Sequence, residues 1–194
     1  MPKNQVDIVP NSNAGATLFS KSRRSEQRAE EFRRQTIASV LAEIRPGCVW
    51  DLDGNTTAYR SVIRDQGIHW IPFDLELRDK AGCPDSPWTP RADLVIAFGV
   101  LHRLRITKNF TLARIAQSLE NLADWLLIEF VPKEDTSVRT LLRGRPESFE
   151  DYYLPNFYGA FRRQFEMVKS LGIPSTPRSI YLFKKRSAEV AVQR

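Results

Sequence analysis

Short apolar runs alternate with amphipathic, helix-like segments along most of this 194-residue chain. The runs are CVWDL (48–52), IHWIPF (68–73), DLVIAFGVL (93–101) and WLLIEF (125–130). Near-continuous apolar runs of this length are typical of parallel strands that are buried on both faces, and the helices between them provide the crossovers. The pattern therefore predicts an α/β fold with an open, mostly parallel sheet flanked by helices.

The segments between the runs carry apolar residues at three- and four-residue steps, which is the period of a helix with one buried face. A long amphipathic helix is expected from Ser25 up to the Pro46-Gly47 pair, which ends it. The remaining predicted helices cover residues 56–67, 112–122, 137–142 and 155–165.

The chain ends in two strand-like runs, residues 165–174 and 179–183, that are separated by a proline-containing turn. This arrangement predicts an antiparallel hairpin at the end of the sheet. We expect one domain over residues 22–186, preceded by a loose polar arm (1–21) and followed by a short tail (187–194), because the length suits one hydrophobic core.

Composition restricts the class of protein. No apolar segment reaches the ~18 residues of a membrane helix, and the N-terminal sequence lacks the apolar core of a secretory signal, so we expect a cytoplasmic protein without a membrane partner. Cys48 and Cys83 form no CxxC pattern, and no metal site is expected. The net charge of +6 is spread along the chain, so RNA is a less favoured partner than a small molecule.

Polar or aromatic residues follow each of the four runs where the strand is expected to end. In an open α/β sheet, ligands bind beyond the carboxyl ends of the strands, where the strand order reverses. The residues at these ends are Asp51, Asp53, Gly54, Asn55 and Thr56, then Asp74, Leu75 and Glu76, then Phe98, Gly99, Leu101 and His102, and finally Glu129 and Phe130. The sequence therefore predicts a ligand cleft at this edge of the sheet.

These strand ends resemble those of the class I S-adenosylmethionine-dependent methyltransferases. That family has an acidic-x-Gly-x-Gly turn after the first strand, matched here by Asp51 to Thr57, and an acidic residue after the second strand, matched by Asp74. The stretches VWDLDGNTT, DLVIAFGVLHRL and IEFVPK are similar to VWDLGCNTG, DLVLALALIHHL and IEFVPK of a bacterial subgroup. The resemblance covers residues 25–186.

The resemblance implies a Rossmann-like sheet and methyl transfer from S-adenosylmethionine, with S-adenosylhomocysteine as the product. The cofactor-binding residues that it implies are Asp51, Asp53, Gly54, Asn55, Thr56, Asp74, Leu75 and Phe98. It places His102 and Glu129 toward the substrate as candidate catalytic residues, with His102 able to act as a general base. We expect a small-molecule acceptor, in a pocket that is shallow or completed by a second copy or a partner subunit.

Two departures from the family pattern leave alternatives open. Asp53 and Thr57 replace the glycines of the turn, and the Asp53 carboxylate would repel the carboxylate of the cofactor unless it points away or pairs with the amino group. The short proline-rich stretch between Asp74 and Asp93 can hardly hold the helix and strand that the family has there. Either that strand–helix unit is missing, or residues 68–76 form the later strand and the ribose-binding strand is missing.

Other interpretations therefore stand beside the small-molecule methyltransferase. The chain could keep the fold without methylating, as a repurposed enzyme or a partner subunit, or it could be an RNA methyltransferase. His102 could be a packing histidine, and Glu129 could be the partner of Arg103 or Arg105. Three aromatic residues after the fourth strand could line a substrate pocket or cover the sheet: Tyr152, Tyr153 and Phe157.

Overall fold

The computed structural model describes residues 13–52, 57–72, 91–144 and 149–187, with side chains described from Arg24 and from Tyr59 onward in the first two ranges. The helices are α1 (Asn13–Ile44), α2 (Thr57–Arg64), α3 (Leu101–Ile106), α4 (Leu112–Glu120), α5 (Thr136–Leu142) and α6 (Leu154–Phe161). The strands are β1 (Cys48–Asp51), β2 (His69–Pro72), β3 (Ala92–Ala97), β4 (Ala123–Phe130), β5 (Phe165–Gly172) and β6 (Ser179–Lys185). No helix in these ranges is both long and apolar enough to cross a membrane.

The described strands form one sheet in the order β2-β1-β3-β4-β6-β5. The first four run parallel to one another, whereas β6 is antiparallel to β4 and β5 is antiparallel to β6. The predicted α/β fold, with its mostly parallel sheet and C-terminal antiparallel hairpin, is confirmed.

Strand β2 pairs directly with β1, from Cys48 opposite His69 to Asp51 opposite Pro72. The carboxyl ends of β1 and β2 therefore lie side by side. This pairing favours the interpretation of β2 as the ribose-binding strand over its interpretation as the later strand. Residues 73–90 lie outside the described ranges.

The two faces of the sheet carry different helices. One face packs against α1 and α2 through buried residues that include Ile37, Ile63, Leu94 and Leu127. The other face packs against α3 to α6 through a second buried cluster, centred on Phe157. The chain leaves β1 toward the first face and β3 toward the second, so the strand order reverses between these two neighbours.

The element boundaries differ from the sequence-based prediction most clearly at α1, at β3 and before β5. Helix α1 begins at Asn13 instead of Ser25, so residues 13–21 of the predicted loose arm are helical; residues 1–12 lie outside the described ranges. The third apolar run is strand only to Ala97, because Gly99 has a φ of 66° that ends it and Leu101 begins α3. The helix predicted over residues 155–165 ends at Phe161, whereas Phe165 begins β5 opposite Lys185, as the predicted strand 165–174 required.

Strand β5 lies at the edge of the sheet, and its side chains after Phe165 are exposed. The pairing of β5 with β6 shifts by one residue between Met167 and Lys169, which is a β-bulge. Lys169 forms an ion pair with Glu43 of α1, which ties the edge strand to the long helix.

Candidate functional site

Three of the predicted site residues meet at the carboxyl ends of neighbouring strands. Asp51 is the last residue of β1 and is buried, Phe98 follows β3 directly, and Glu129 lies one residue before the end of β4. The backbone N–H of Leu52 donates to the carbonyl of Ile96 at 2.9 Å, so the ends of β1 and β3 stay together. The structure thus brings Asp51, Phe98 and Glu129 to one edge, at the reversal of strand order.

The other predicted cofactor-binding residues cannot be placed in this way. Asp53, Gly54, Asn55, Thr56, Asp74 and Leu75 all lie outside the described residues. Their roles stay predictions from the sequence.

A pocket of about 320 Å³ opens at this edge on the face of the sheet covered by α1 and α2. We call it the charged pocket. It is lined by Glu26, Glu30, Arg33, Tyr59, Phe98, Gly99, Glu129 and Arg178. Tyr59 and Phe98 meet edge to face, with ring centroids 5.7 Å apart, and form its aromatic wall.

Glu129 is the centre of a buried ionic contact in the charged pocket. Its Oε1 accepts a hydrogen bond from Nη2 of Arg33 at 2.6 Å, and its Oε2 accepts one from the backbone N–H of Gly99 at 3.2 Å. Nη1 of Arg178 lies 3.7 Å from Oε1. Arg33 and Glu129 are both at least nine-tenths buried, so their charges are held by each other and not by solvent.

The arginines that pair with Glu129 are not the ones that the sequence suggested. Arg103 donates through Nε to the carbonyl of Gly99 at 3.0 Å, and Arg105 forms an ion pair with Asp151 at 2.7 Å. Burial alone would lower the pKa of Arg33, but the charge and hydrogen bond of Glu129 raise it. Arg33 therefore stays charged although it is buried.

Arg178 connects this ionic contact to the start of α5. Its Nε and Nη2 donate to the two carboxylate oxygens of Asp135, at 2.7 and 3.0 Å. Asp135 also caps α5 by accepting from the backbone N–H of Ser137 at 2.9 Å. Burial would raise the pKa of Asp135, but the hydrogen bonds from Arg178 and Ser137 outweigh it and lower this pKa to about 2.

His102 lies near this network but lines neither of the two pockets described in this section. It is the second residue of α3, its side chain is buried, and its Nδ1 has no hydrogen-bond partner among the described residues. Burial, followed by the charges of Arg103 and Arg178, lowers the pKa of His102 to about 4. The imidazole is therefore uncharged at neutral pH, and the structure does not bring it together with Glu129 in one pocket.

A second pocket, of about 230 Å³, opens at the same edge on the opposite face of the sheet. We call it the aromatic pocket. It is lined by Phe130, Pro132, Lys133, Glu134, Tyr152, Tyr153, Leu154, Pro177, Ser179 and Tyr181. Of the three aromatic residues suggested from the sequence, Tyr152 and Tyr153 line this pocket, whereas Phe157 is fully buried in the core.

Sequence reasoning missed Arg33 and Arg178 as site residues. Arg33 had a signal, since it lies four residues after Ala29 and four before Ile37, on the apolar face of α1. A charged residue on the buried stripe of a helix needs a partner, and this is a reason to suspect a site. Arg178 lies in the turn before β6 and carries no such signal in the sequence.

Comparisons with known proteins show which proteins this chain is similar to. No family model matches the chain. It is 27% identical over 186 residues to the nodulation protein NoeA of Rhizobium meliloti, a match that covers 78% of this chain. The chain spans only 39% of the length of that relative.

Two solved methyltransferase structures are similar in shape. The mitomycin 7-O-methyltransferase MmcR superposes with a TM-score of 0.51 and 16% identity, over 91% of this chain and 59% of that one. The 16S rRNA methyltransferase RmtF, solved with S-adenosylhomocysteine, gives a TM-score of 0.50 and 15% identity, over 85% of this chain and 65% of that one. The chain therefore has the α/β fold seen in these methyltransferases.

Proposed function

We propose that this chain is an S-adenosylmethionine-dependent methyltransferase domain that acts on a small-molecule acceptor. The observation that carries this proposal is the charged pocket at the carboxyl edge of the sheet. It lies beside the reversal of strand order between β1 and β3, which is where open α/β sheets bind ligands. The α/β fold that the chain shares with solved methyltransferases also supports this chemistry.

The charged side chains of the charged pocket suit the amino-acid end of the cofactor, which carries both an ammonium and a carboxylate. Glu26 and Glu30 are exposed carboxylates on its α1 wall, whereas Arg33 and Arg178 supply guanidinium groups. A pocket with both signs of charge binds a zwitterion better than it binds a simple anion or cation. In this proposal Glu26 and Glu30 would hold the ammonium and Arg178 would lie toward the carboxylate, while Arg33 stays paired with Glu129.

When bound, the cofactor would supply an activated methyl group, and the chain would contribute mainly by holding the reactants together. Glu129 is already engaged by Arg33 and Gly99, so we assign it the role of a positioning residue. His102 is uncharged at neutral pH, but it is buried and lines neither pocket, so we assign it a packing role and no proton transfer.

Isothermal titration calorimetry with S-adenosylmethionine and S-adenosylhomocysteine tests the proposal. Two adjacent glutamates of α1 provide a matched pair, because Glu30 lines the charged pocket and Glu31 does not. Both are exposed, so neither substitution should affect folding. We expect Glu30→Gln to weaken binding by about threefold to tenfold, as for the loss of one charge-assisted hydrogen bond, and Glu31→Gln to leave it unchanged.

Absence of binding at millimolar cofactor would contradict methyl transfer by this chain. If the cofactor binds, Asp53→Gly should tighten binding, because it removes the carboxylate that replaces a family glycine. Weaker binding in this variant would instead make Asp53 a contact to the cofactor.

A second candidate is a protein of this fold that no longer methylates. It is favoured by the ion pair between Arg33 and Glu129, which satisfies both charges within the protein itself. Cofactor binding without production of S-adenosylhomocysteine from a panel of small-molecule acceptors would support this candidate. Product formed only with an RNA acceptor, together with a steep salt dependence of RNA binding, would support an RNA methyltransferase instead.

A further inference from the structure

We infer that the aromatic pocket is a binding site for a single aromatic ring that carries a hydroxyl group. As the place of the methyl acceptor, this inference rests on the proposed function; as a binding site, it rests on the pocket alone.

Seven of the ten residues that line the aromatic pocket are aromatic, proline or leucine. Phe130 and Tyr152 stack on each other with ring centroids 5.3 Å apart and an interplanar angle of 25°. Because these two rings and Tyr181 are at most 4% exposed, the apolar side chains open to a ligand are Pro132, Tyr153, Leu154 and Pro177. Two prolines, Pro132 and Pro177, add rigid flat surfaces at the side of the opening. Aromatic ligands gain from offset-stacked and edge-to-face contacts with such walls, beyond the apolar area that they bury.

The volume limits the ligand to about one ring. A cavity of roughly 150 Å³ in a protein interior accommodates benzene, and this pocket measures about 230 Å³. The difference leaves room for one or two small substituents. A fused polycyclic ligand would have to extend out of the pocket.

The few polar groups lie together with an exposed aromatic side chain. Ser179 contributes a hydroxyl, Lys133 and Glu134 contribute opposite charges, and Tyr153 is 47% exposed. The hydroxyl of Tyr152 already donates to the carbonyl of Val131 at 2.7 Å. The pocket can therefore match one or two polar substituents on a ligand.

This balance distinguishes an aromatic ring from a sugar. A sugar ring carries a hydroxyl on nearly every carbon, and most of them would face Pro132, Tyr153, Leu154 or Pro177, whose surfaces are largely apolar. Each polar group that is buried without a partner loses its hydrogen bonds to water and weakens binding. A phenol has one hydroxyl and two apolar faces, which matches the composition of the walls.

The aromatic pocket also lies next to the charged pocket. Glu129 and Phe130 are neighbours in β4, and because side chains alternate along a strand, they point to opposite faces. Phe130 pairs with Ser179 of β6, the residue directly after Arg178. The two pockets are thus separated by one strand end, so a ring in one would lie close to a ligand in the other.

Ligand-observed NMR with phenol, cyclohexanol and methyl glucoside tests the inference on the whole protein without any cofactor. We expect saturation transfer from the protein to phenol, with a dissociation constant in the low millimolar range and at least threefold tighter than that of cyclohexanol. Methyl glucoside should not bind. Equal binding of phenol and cyclohexanol, or tighter binding of the glucoside, would overturn the inference.

Two variants locate the binding. Tyr153→Ala removes a half-exposed wall and should weaken phenol binding by about threefold to tenfold, whereas Met167→Ala, at a 49% exposed residue of β5 outside the pocket, should not change it. Ser179→Ala should weaken binding of phenol but not of toluene. Unchanged phenol binding in both pocket variants would show that phenol binds elsewhere and would overturn the inference.

The two proposals can fail separately. Phenol binding in the pocket without any binding of S-adenosylmethionine would reject methyl transfer and keep the ring site. Cofactor binding without phenol binding would keep the proposed function and reject this site.

Discussion

The two pockets at the carboxyl edge of the sheet differ in chemistry although the residues that build them are neighbours in the chain. Glu129 and Arg178 line the charged pocket, while Phe130 and Ser179 line the aromatic pocket. The alternation of side chains along β4 sends Glu129 and Phe130 to opposite faces, and Arg178 and Ser179 lie beside them where β6 begins. A single strand end therefore supplies a polar and an apolar site without any change in the backbone.

The difference also concerns how each region is stabilised. The charged side depends on partners that satisfy one another, so removal of one member leaves a buried charge. The aromatic side depends on packing, with Phe157 within 6 Å, centroid to centroid, of Phe130, Phe161 and Tyr181. Four predictions, from the largest expected effect to the smallest, test this contrast.

Removal of the Glu129 carboxylate should have the largest effect. Glu129→Leu leaves Arg33 charged and buried, so we expect the free energy of unfolding, measured by urea denaturation, to fall by about 3–5 kcal/mol. Glu26→Gln is the control, because Glu26 lies 3.7 Å from Arg33 but its side chain is 64% exposed; its loss should stay below about 1 kcal/mol.

The double variant Arg33→Met with Glu129→Leu sharpens this test. Replacement of both members of a buried ion pair by apolar residues is often neutral, and Arg178 keeps its contact with Asp135. The double variant should therefore regain most of the lost stability. A double variant that is less stable than Glu129→Leu alone would show that the ion pair itself stabilises the fold.

Protonation of His102 should destabilise the protein at mildly acidic pH. Its pKa is about 4 in the folded chain and near 6.5 in an unfolded chain, so the unfolded state binds the proton first. The free energy of unfolding should fall by about 3 kcal/mol as the pH is lowered from 6.5 to 4.

Urea denaturation at several pH values measures the slope of the free energy of unfolding against pH. His102→Asn should flatten it, whereas His69→Asn, at the other, exposed histidine, should keep it. The comparison concerns the change with pH and not the absolute stability of either variant. An unchanged slope in His102→Asn would contradict a buried, neutral His102.

The carboxylate of Asp135 should contribute at lower pH. Its pKa of about 2 in the folded chain lies below the ~3.9 of an unfolded chain, so its contribution is complete above pH 4 and is lost as the pH falls toward 2. We expect this loss to be about 2 kcal/mol, measured by acid denaturation.

Arg178→Met removes the main hydrogen-bond donor of Asp135 and should abolish most of this acid-dependent loss. Asp124→Asn is a suitable control, because Asp124 also pairs with an arginine but its side chain is 69% exposed. A similar acid-dependent loss of stability in Arg178→Met and in the unaltered protein would contradict the assignment of the low Asp135 pKa to Arg178.

The smallest effect is expected on the aromatic side. Tyr152→Phe keeps the stacked ring but loses the hydrogen bond to Val131, so stability should fall by about 1 kcal/mol. Tyr153→Phe, at the exposed neighbour, should leave thermal denaturation unchanged. A loss in Tyr152→Phe as large as that in Glu129→Leu would remove the contrast between the two sides.

The sequence was sufficient to predict the architecture because each strand carries its own local signal. Runs such as DLVIAFGVL are apolar enough to be buried whatever lies around them, and the hairpin follows from two such runs across a short turn. Boundaries depend on smaller effects. The end of β3 is fixed by the positive φ of Gly99, and an apolar pattern that continues to Leu101 does not reveal it.

From the sequence, a site residue could be predicted only where its position at the end of a strand is enough to place it at the site. Asp51, Phe98 and Glu129 were found because strand ends share an edge. The contact between Arg33 and Glu129 joins residues 96 positions apart, and no local pattern contains it. The burial of His102 and the division into two pockets likewise depend on which helix covers which face.

The β-bulge in β5 has a consequence for the behaviour of the protein at high concentration. Exposed edge strands can pair with the edge of another molecule and start aggregation, and bulges and lysines are two devices that oppose it. Here the break in register at Met167–Lys169 and the Lys169 side chain interrupt an edge that also exposes Val168 and Leu171. The apolar edge that completes the sheet is thereby kept from acting as a template for further strands.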